Sequence, residues 1–325
     1  MRTIISTVLA VVALAVLATA PAQAQEKFRI TLIPGLTTDA FYITMRKGAE
    51  AAAESLGVEF SFQGAPNFNP TEQIPVLEAV IAQKPDAILI APTDKTQLIE
   101  PLRQAAQAGI LVLTVDTFID DGSYQDGAGS GDFPKALISS DNVLGGRMAA
   151  RALCEAIGGS GKVYVSNVNP GISTTDQREE GFKAEMASSC SGAKVLETQF
   201  NDDDSAKAAQ QLQAVLARES DLAGVFGANL FSAIGTADGV RAAGKSGEIQ
   251  IAAFDAPQRI VEDLKSGLVN IAIAQHPSEI GWYGVATAYA HLTGQSVPTY
   301  IGTGFTVMDA KNIDDPEINA FVYSD

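Results

Sequence analysis

Histidine, cysteine and cationic residues are scarce in this 325-residue chain, and each scarcity excludes something. His276 and His291 are the two histidines, and Cys154 and Cys190 the two cysteines. No His-Glu-x-x-His spacing and no serine or cysteine nucleophile motif accompanies them, so neither a metal centre nor triad chemistry is expected. Lys and Arg number 22 against 38 Asp and Glu, a net charge of −16. That field repels polynucleotides and anionic membrane surfaces, so no nucleic-acid partner is expected. Beyond residue 24 no apolar run is long enough to span a bilayer. Two glycine-rich stretches fail as nucleotide loops. "GAGSG" (127–131) neither leaves a strand nor opens a helix, and "GGSGK" (158–162) has Ala156 and Val163 where the phosphate-loop pattern needs Gly and a hydroxyl residue. No cofactor is implied.

What is present begins with a leader. "MRTIISTVLAVVALAVLATAPAQA" carries Arg2, a short apolar core and small residues at Ala22 and Ala24, the pattern of a secretory signal peptide cut after Ala24. No cysteine stands there to receive a lipid, so the mature chain is expected in the bacterial periplasm. Oxidising conditions there permit a disulfide between Cys154 and Cys190.

The remainder alternates short β-rich runs with amphipathic helical patterns. "FRITLI", a helix over 40–57 and "VEFSF" open the series, which "DAILIAP" and "ILVLTVD" continue. This is the signature of an α/β fold with parallel sheets covered by helices. The alternation restarts near residue 141 and echoes the first series. "ILVLTVDT" matches "IQIAAFDA", and Asp86 and Asp116 precede their counterparts Asp221 and Asp255 by 135 and 139 residues. The chain therefore reads as two copies of one unit. Ligands of open parallel sheets sit beyond the carboxyl ends of the strands, where Asp116 and Asp255 lie. Two opposed carboxylates suit either glycoside hydrolysis or the binding of sugar hydroxyls.

The ordered set "DAFYITMRKGAEAAAESLG", "ILVLTVDT", "ISSDNVLGG", "REEGF", "VFGAN", "AAFDA" and "IAIAQHPSEIG" resembles the type I periplasmic sugar-binding proteins, most of all the ribose-binding branch serving ABC importers. The resemblance covers essentially the whole mature chain. It implies two Rossmann-like lobes joined by a three-crossover hinge, closing on a monosaccharide or sugar alcohol. The crossings are expected near Ser140, Gln275 and Gly304, so that residues 25–140 with 276–304 form one lobe and 141–275 with 305–325 the other.

Carried over by position, the resemblance places Asp39, Phe41 and Tyr42 at the ligand in the first lobe. Asp39 is equally suited to cap the helix that follows, and Phe41 falls on its packing stripe. Asp116 corresponds to the acidic acceptor of hydroxyls. The family has Arg next, whereas this chain has Thr117, which is expected at the ligand in its place, and the loss of a five-donor fork argues against ribose itself. In the second lobe Arg178, Asn229 and Asp255 match ligand residues, although Asn229 and Asp255 also suit helix caps, and Arg178 a surface ion pair. Leu230 stands where the family usually has Asp, which thins the polar wall. Gln275 matches an amide that reads the ligand from the hinge side. Trp282 reads as core or surface packing, and the acidic loop 119–132, which lacks calcium-loop spacing, as a solvated border of the cleft.

The expected activity is solute binding, not catalysis, by a monomer; an ABC permease is the expected partner, and a chemoreceptor is compatible with the same role. The alternatives are an exported carbohydrate hydrolase using Asp116 and Asp255, and a binder of a non-sugar signalling solute.

Overall fold

The computed structural model describes residues 27–124 and 133–324; the expected leader and residues 125–132 of the acidic loop lie outside them. The first lobe runs β1 (Arg29–Ile33), α1 (Ala40–Leu56), β2 (Glu59–Phe62), α2 (Pro70–Gln83), β3 (Ala87–Ile90), α3 (Ile99–Gln107), β4 (Leu111–Val115) and β5 (Leu137–Ser140). The chain then enters the second lobe with α4 (Asn142–Ala156), β6 (Ser160–Asn167), α5 (Ser173–Ser189), β7 (Gly192–Val195) and β8 (Gln199–Phe200). That lobe continues through α6 (Ser205–Arg218), β9 (Leu222–Gly227), α7 (Leu230–Ala242), β10 (Gln250–Phe254), α8 (Gln258–Lys265) and β11 (Ile271–Gln275). A second crossing returns it to α9 (Pro277–Leu292) and β12 (Tyr300–Thr303), and a third leads to β13 (Phe305–Met308) and α10 (Pro316–Asn319).

Among the described residues the first sheet has the order β12-β5-β4-β3-β1-β2, all parallel. The second has the order β13-β11-β10-β9-β6-β7, with β8 also on β6 and β13 antiparallel to β11. The central strands are apolar on both faces because helices cover both. Leu32, Leu89 and Leu113 enter the core beneath α1 and α9, while Ile33, Ile90 and Val112 enter the opposite core beneath α2 and α3. A strand's period of two sends neighbours to opposite cores.

The acidic loop departs from the expectation of a solvated border at its start. Ile119 and Tyr124 are buried, and the Tyr124 hydroxyl accepts from Thr114 Oγ1 (3.0 Å) and from the Ile119 N–H (3.1 Å). Trp282, by contrast, is partly exposed on α9.

Each lobe carries a helix pair in backbone contact that bears on the cleft. A Cβ on Gly48 of α1 would strike the Ser278 carbonyl at the start of α9, and one on Gly281 would strike that of Met45. In the second lobe Gly146 of α4 lies against the carbonyl of Arg178 on α5, and Gly181 against that of Val143. Cys154 on α4 is disulfide-bonded to Cys190 at the end of α5, with Cα atoms 5.9 Å apart and a sequence separation of 36. Closing a loop of that length lowers the entropy of the unfolded chain by about 3–4 kcal/mol at 25 °C. Replacing both cysteines with serine is therefore predicted to reduce unfolding free energy by roughly that amount, read by urea titration. A loss under about 1 kcal/mol would show that the bridge contributes little to stability.

Candidate functional site

A cavity lies between the lobes, at the carboxyl ends of both sheets. The first lobe lines it with Leu36, Asp39, Phe41, Tyr42, Phe68 and Asp116; the second with Val168, Ile172, Thr174, Thr175, Arg178, Asp203, Asn229, Asp255 and Gln275.

Local geometry explains how the polar groups arrive there. Asp39 caps α1, its Oδ1 accepting the Phe41 N–H at 2.8 Å, so capping and cavity lining coincide. The two strand-end aspartates turn the chain with positive φ, 62° at Asp116 and 75° at Asp255. Aspartate tolerates this left-handed backbone better than most side chains. Tyr42 Oη donates to Asp116 Oδ2 at 2.8 Å and shares an edge-to-face contact with Phe41. The next residue leaves the site: Thr117 Oγ1 donates to the Pro92 carbonyl at 2.7 Å, and Thr117 is absent from the lining. The turn at Asp116 directs it into the first lobe.

Arg178 projects from α5, whose backbone approaches α4 at Gly146. Its Nε donates to Asn142 Oδ1 (2.8 Å) and its Nη1 to the Ala228 carbonyl (3.0 Å), and its guanidinium lies 4.0 Å from the Phe254 ring centroid. Nη1 is also 3.9 Å from Asp255 Oδ2. Asp255 accepts the Leu230 N–H at 3.0 Å, Gln275 Nε2 at 2.8 Å and Tyr323 Oη at 2.8 Å. It therefore serves α7 as a donor-satisfying group from another strand, rather than the helix after itself. Asn229 does cap α7 through Oδ1, and its Nδ2 donates to Asp203 Oδ1 at 2.6 Å.

Asp203 and Thr175 are cavity residues that sequence reasoning missed. The run "NDDDS" (201–205) places Asp203 beside Asp204, the cap of α6, and a cap is what such a run signals. Leu230 does not line the cavity; it is buried in the apolar cluster that also contains Leu36 and Phe41 of the first lobe. Two buried atoms at the cavity, Gln275 Oε1 and Thr175 Oγ1, have no hydrogen-bond partner. The lobes also meet along the cleft rim, where the Phe118 N–H donates to Ser173 Oγ (3.0 Å) and Lys95 Nζ pairs with Asp176 Oδ2 (3.3 Å).

This two-lobed geometry has known relatives. The family model described as the periplasmic binding protein domain matches residues 30–296. The chain belongs to that family. The ribose import binding protein RbsB of Escherichia coli K12 is 30% identical over 285 residues, spanning 88% of this chain and 92% of its own. An ABC transporter solute-binding protein of Agrobacterium vitis, solved with α-D-tagatopyranose, is 68% identical with a TM-score of 0.91, covering 92% of this chain and all of that one. Another from the same organism, solved with D-fucose, is 29% identical with a TM-score of 0.85, covering 91% of this chain and all of that one.

In this periplasmic binding protein the cavity concentrates negative charge. Burial pushes Asp39 well above the usual carboxylate range, Asp255 adding to the rise while the Phe41 N–H opposes it. Burial raises Asp116 to about 6 against the opposing pull of Arg178 and Tyr42, and raises Asp203 to about 6 against its bond from Asn229. Below about pH 3 these carboxyls are protonated whether the cleft is open or closed. As pH climbs toward 6 they ionise first where water reaches them, so stability of the ligand-free closed form falls across that window and stays low above it. Small-angle scattering of ligand-free protein is predicted to show a more compact particle at about pH 4.5 than at about pH 7.5. Equal radii of gyration would remove the carboxylates from control of closure.

Proposed function

We propose that the cavity captures a neutral monosaccharide in its ring form, and that the lobes close over it by rotation at the crossings after Ser140, Gln275 and Thr303. The observation that carries this reading is the balance of the lining. Four carboxylates and the unpartnered Gln275 Oε1 face one guanidinium, Arg178, the one cation among the described lining residues. Such a wall calls for hydroxyl donors and repels carboxylate or phosphate. Phe41, Tyr42, Phe68 and Ile172 supply apolar surface for the C–H faces of a sugar ring.

The protein is the sugar-binding component of an ABC transporter, a transport protein and not an enzyme, as its relatives are. Binding proteins of ABC importers work in the periplasm, and export there with removal of residues 1–24 is part of the proposal. So are delivery of the closed complex to a membrane permease and its display to a chemoreceptor. The site residues proposed are Asp39, Phe41, Tyr42, Asp116, Arg178, Asn229, Asp255 and Gln275, together with Asp203 and Thr175. D-tagatose is the proposed ligand, on the strength of the relative that shares 68% of its residues.

A ligand that binds only folded protein stabilises it by about 2.7 kcal/mol at one hundred times its dissociation constant. D-tagatose is therefore predicted to raise the melting temperature, and D-galacturonate, which adds a carboxylate, to leave it unchanged. A shift by the sugar acid and none by neutral sugars would overturn the reading. In titration calorimetry Asp255→Asn is predicted to weaken binding at least tenfold, since a charged hydrogen bond contributes about 1.5–3 kcal/mol. Unchanged affinity would place Asp255 outside the ligand site.

A further inference from the structure

The chain's last described residues belong to neither sheet, yet they touch both lobes at once. The Tyr323 N–H donates to the Ala256 carbonyl at 3.0 Å. Its phenolic oxygen donates to Asp255 Oδ1 at 2.8 Å and accepts the N–H of Gln275 at 2.9 Å. All three partners lie in the second lobe, at the ends of β10 and β11. One residue further on, the Ser324 N–H donates to Thr44 Oγ1 at 2.8 Å, on α1 of the first lobe. The Thr44 hydroxyl spends its own proton on the Ala40 carbonyl, leaving its oxygen as the acceptor. The Tyr323 ring also meets the edge of Phe41 at 5.9 Å. Tyr323 is buried but does not line the cavity. Burial, reinforced by the charge of Asp255, holds its phenol well above the ordinary tyrosine range, so it remains a donor at any physiological pH.

We infer that Tyr323 and Ser324 form an interlobe clasp: the phenol positions Asp255 for the ligand, and the Ser324 N–H fastens that assembly to α1 when the cleft closes. The inference rests on the reading of the cavity as the sugar site. Three bonds hold Tyr323 to the second lobe and one holds Ser324 to the first, so opening breaks the Ser324–Thr44 bond and leaves the phenol in place. α1 begins beside Asp39, Phe41 and Tyr42, so the helix seized by the clasp also carries part of the ligand wall. Ligand contact and tail contact thus favour the same closed form, and each strengthens the other.

The test is a double-mutant cycle in the full chain, with D-tagatose as the titrant. Tyr323→Phe keeps the ring against Phe41 and removes only the hydroxyl. It is expected to weaken binding about fivefold or more alone, but less than about twofold in a chain already carrying Asp255→Asn, because it acts through Asp255. Thr44→Val is expected to weaken binding about threefold by faster ligand release, with little change in association. Full additivity of Tyr323→Phe with Asp255→Asn, or wild-type affinity in both Tyr323→Phe and Thr44→Val, would overturn the clasp. If wild-type protein fails to bind D-tagatose, the ligand assignment falls, and the same cycle read in ligand-free melting temperatures decides the clasp. Non-additive shifts there support it, and additive shifts overturn it.

Discussion

Asp39, Asp116, Asp203 and Asp255 line one interlobe cavity with a single guanidinium, and a carboxylate taken out of water is costly unless donors replace the solvent. Much of the surrounding structure is the supply of those donors. Asp255 receives a helix N–H, an amide, a phenol and the proximity of Arg178. Asp39 takes a backbone N–H, Asp116 a tyrosine and Asp203 an asparagine. The remaining acceptor capacity faces inward, and a ring with several hydroxyls is a donor set of the required size and neutrality. The proposed selectivity against acidic solutes rests on the protein's own charge.

The two halves solve the problem alike and then diverge. In both, the chain leaves a buried strand through an aspartate in left-handed backbone, Asp116 after β4 and Asp255 after β10. Such strained positions persist where the surroundings hold them, and they concentrate at functional sites. Among the described residues the Asp116 carboxylate takes its one side-chain hydrogen bond from Tyr42 of the same lobe. Around Asp255 the donors come from α7, from the strand beside it and from the far end of the chain. The second carboxylate is consequently the more firmly held of the pair.

Legibility from sequence followed the same division. Strand and helix order was readable because burial on two faces produces unbroken apolar runs, and helices between them repeat every three to four residues. Asp116 and Asp255 stood out because the repeat placed them at corresponding strand ends. Thr117 was misread because the direction of a side chain depends on the φ of the residue before it, which composition does not reveal. Asp203 was overlooked because three consecutive aspartates look alike until one caps α6 and another turns inward. Leu230 read as a lost polar group, whereas it closes an apolar contact across the cleft. "FVYSD" has no period and no motif, so nothing local marked Tyr323 as a partner of a residue 68 positions away.

The glycines that let α4 touch α5, and α1 touch α9, bear on how the molecule moves. Where helix backbone rests on helix backbone, no side chain stands between them to change rotamer and absorb a displacement. Each pair therefore behaves as a welded joint. Arg178 rides on one of these joints, and Tyr42 and Thr44 on the other, so neither group of residues drifts relative to its own sheet. The proposed lobe rotation therefore falls to the three short connections between the sheets, and the two walls of the site would travel as finished surfaces, like the jaws of a vice.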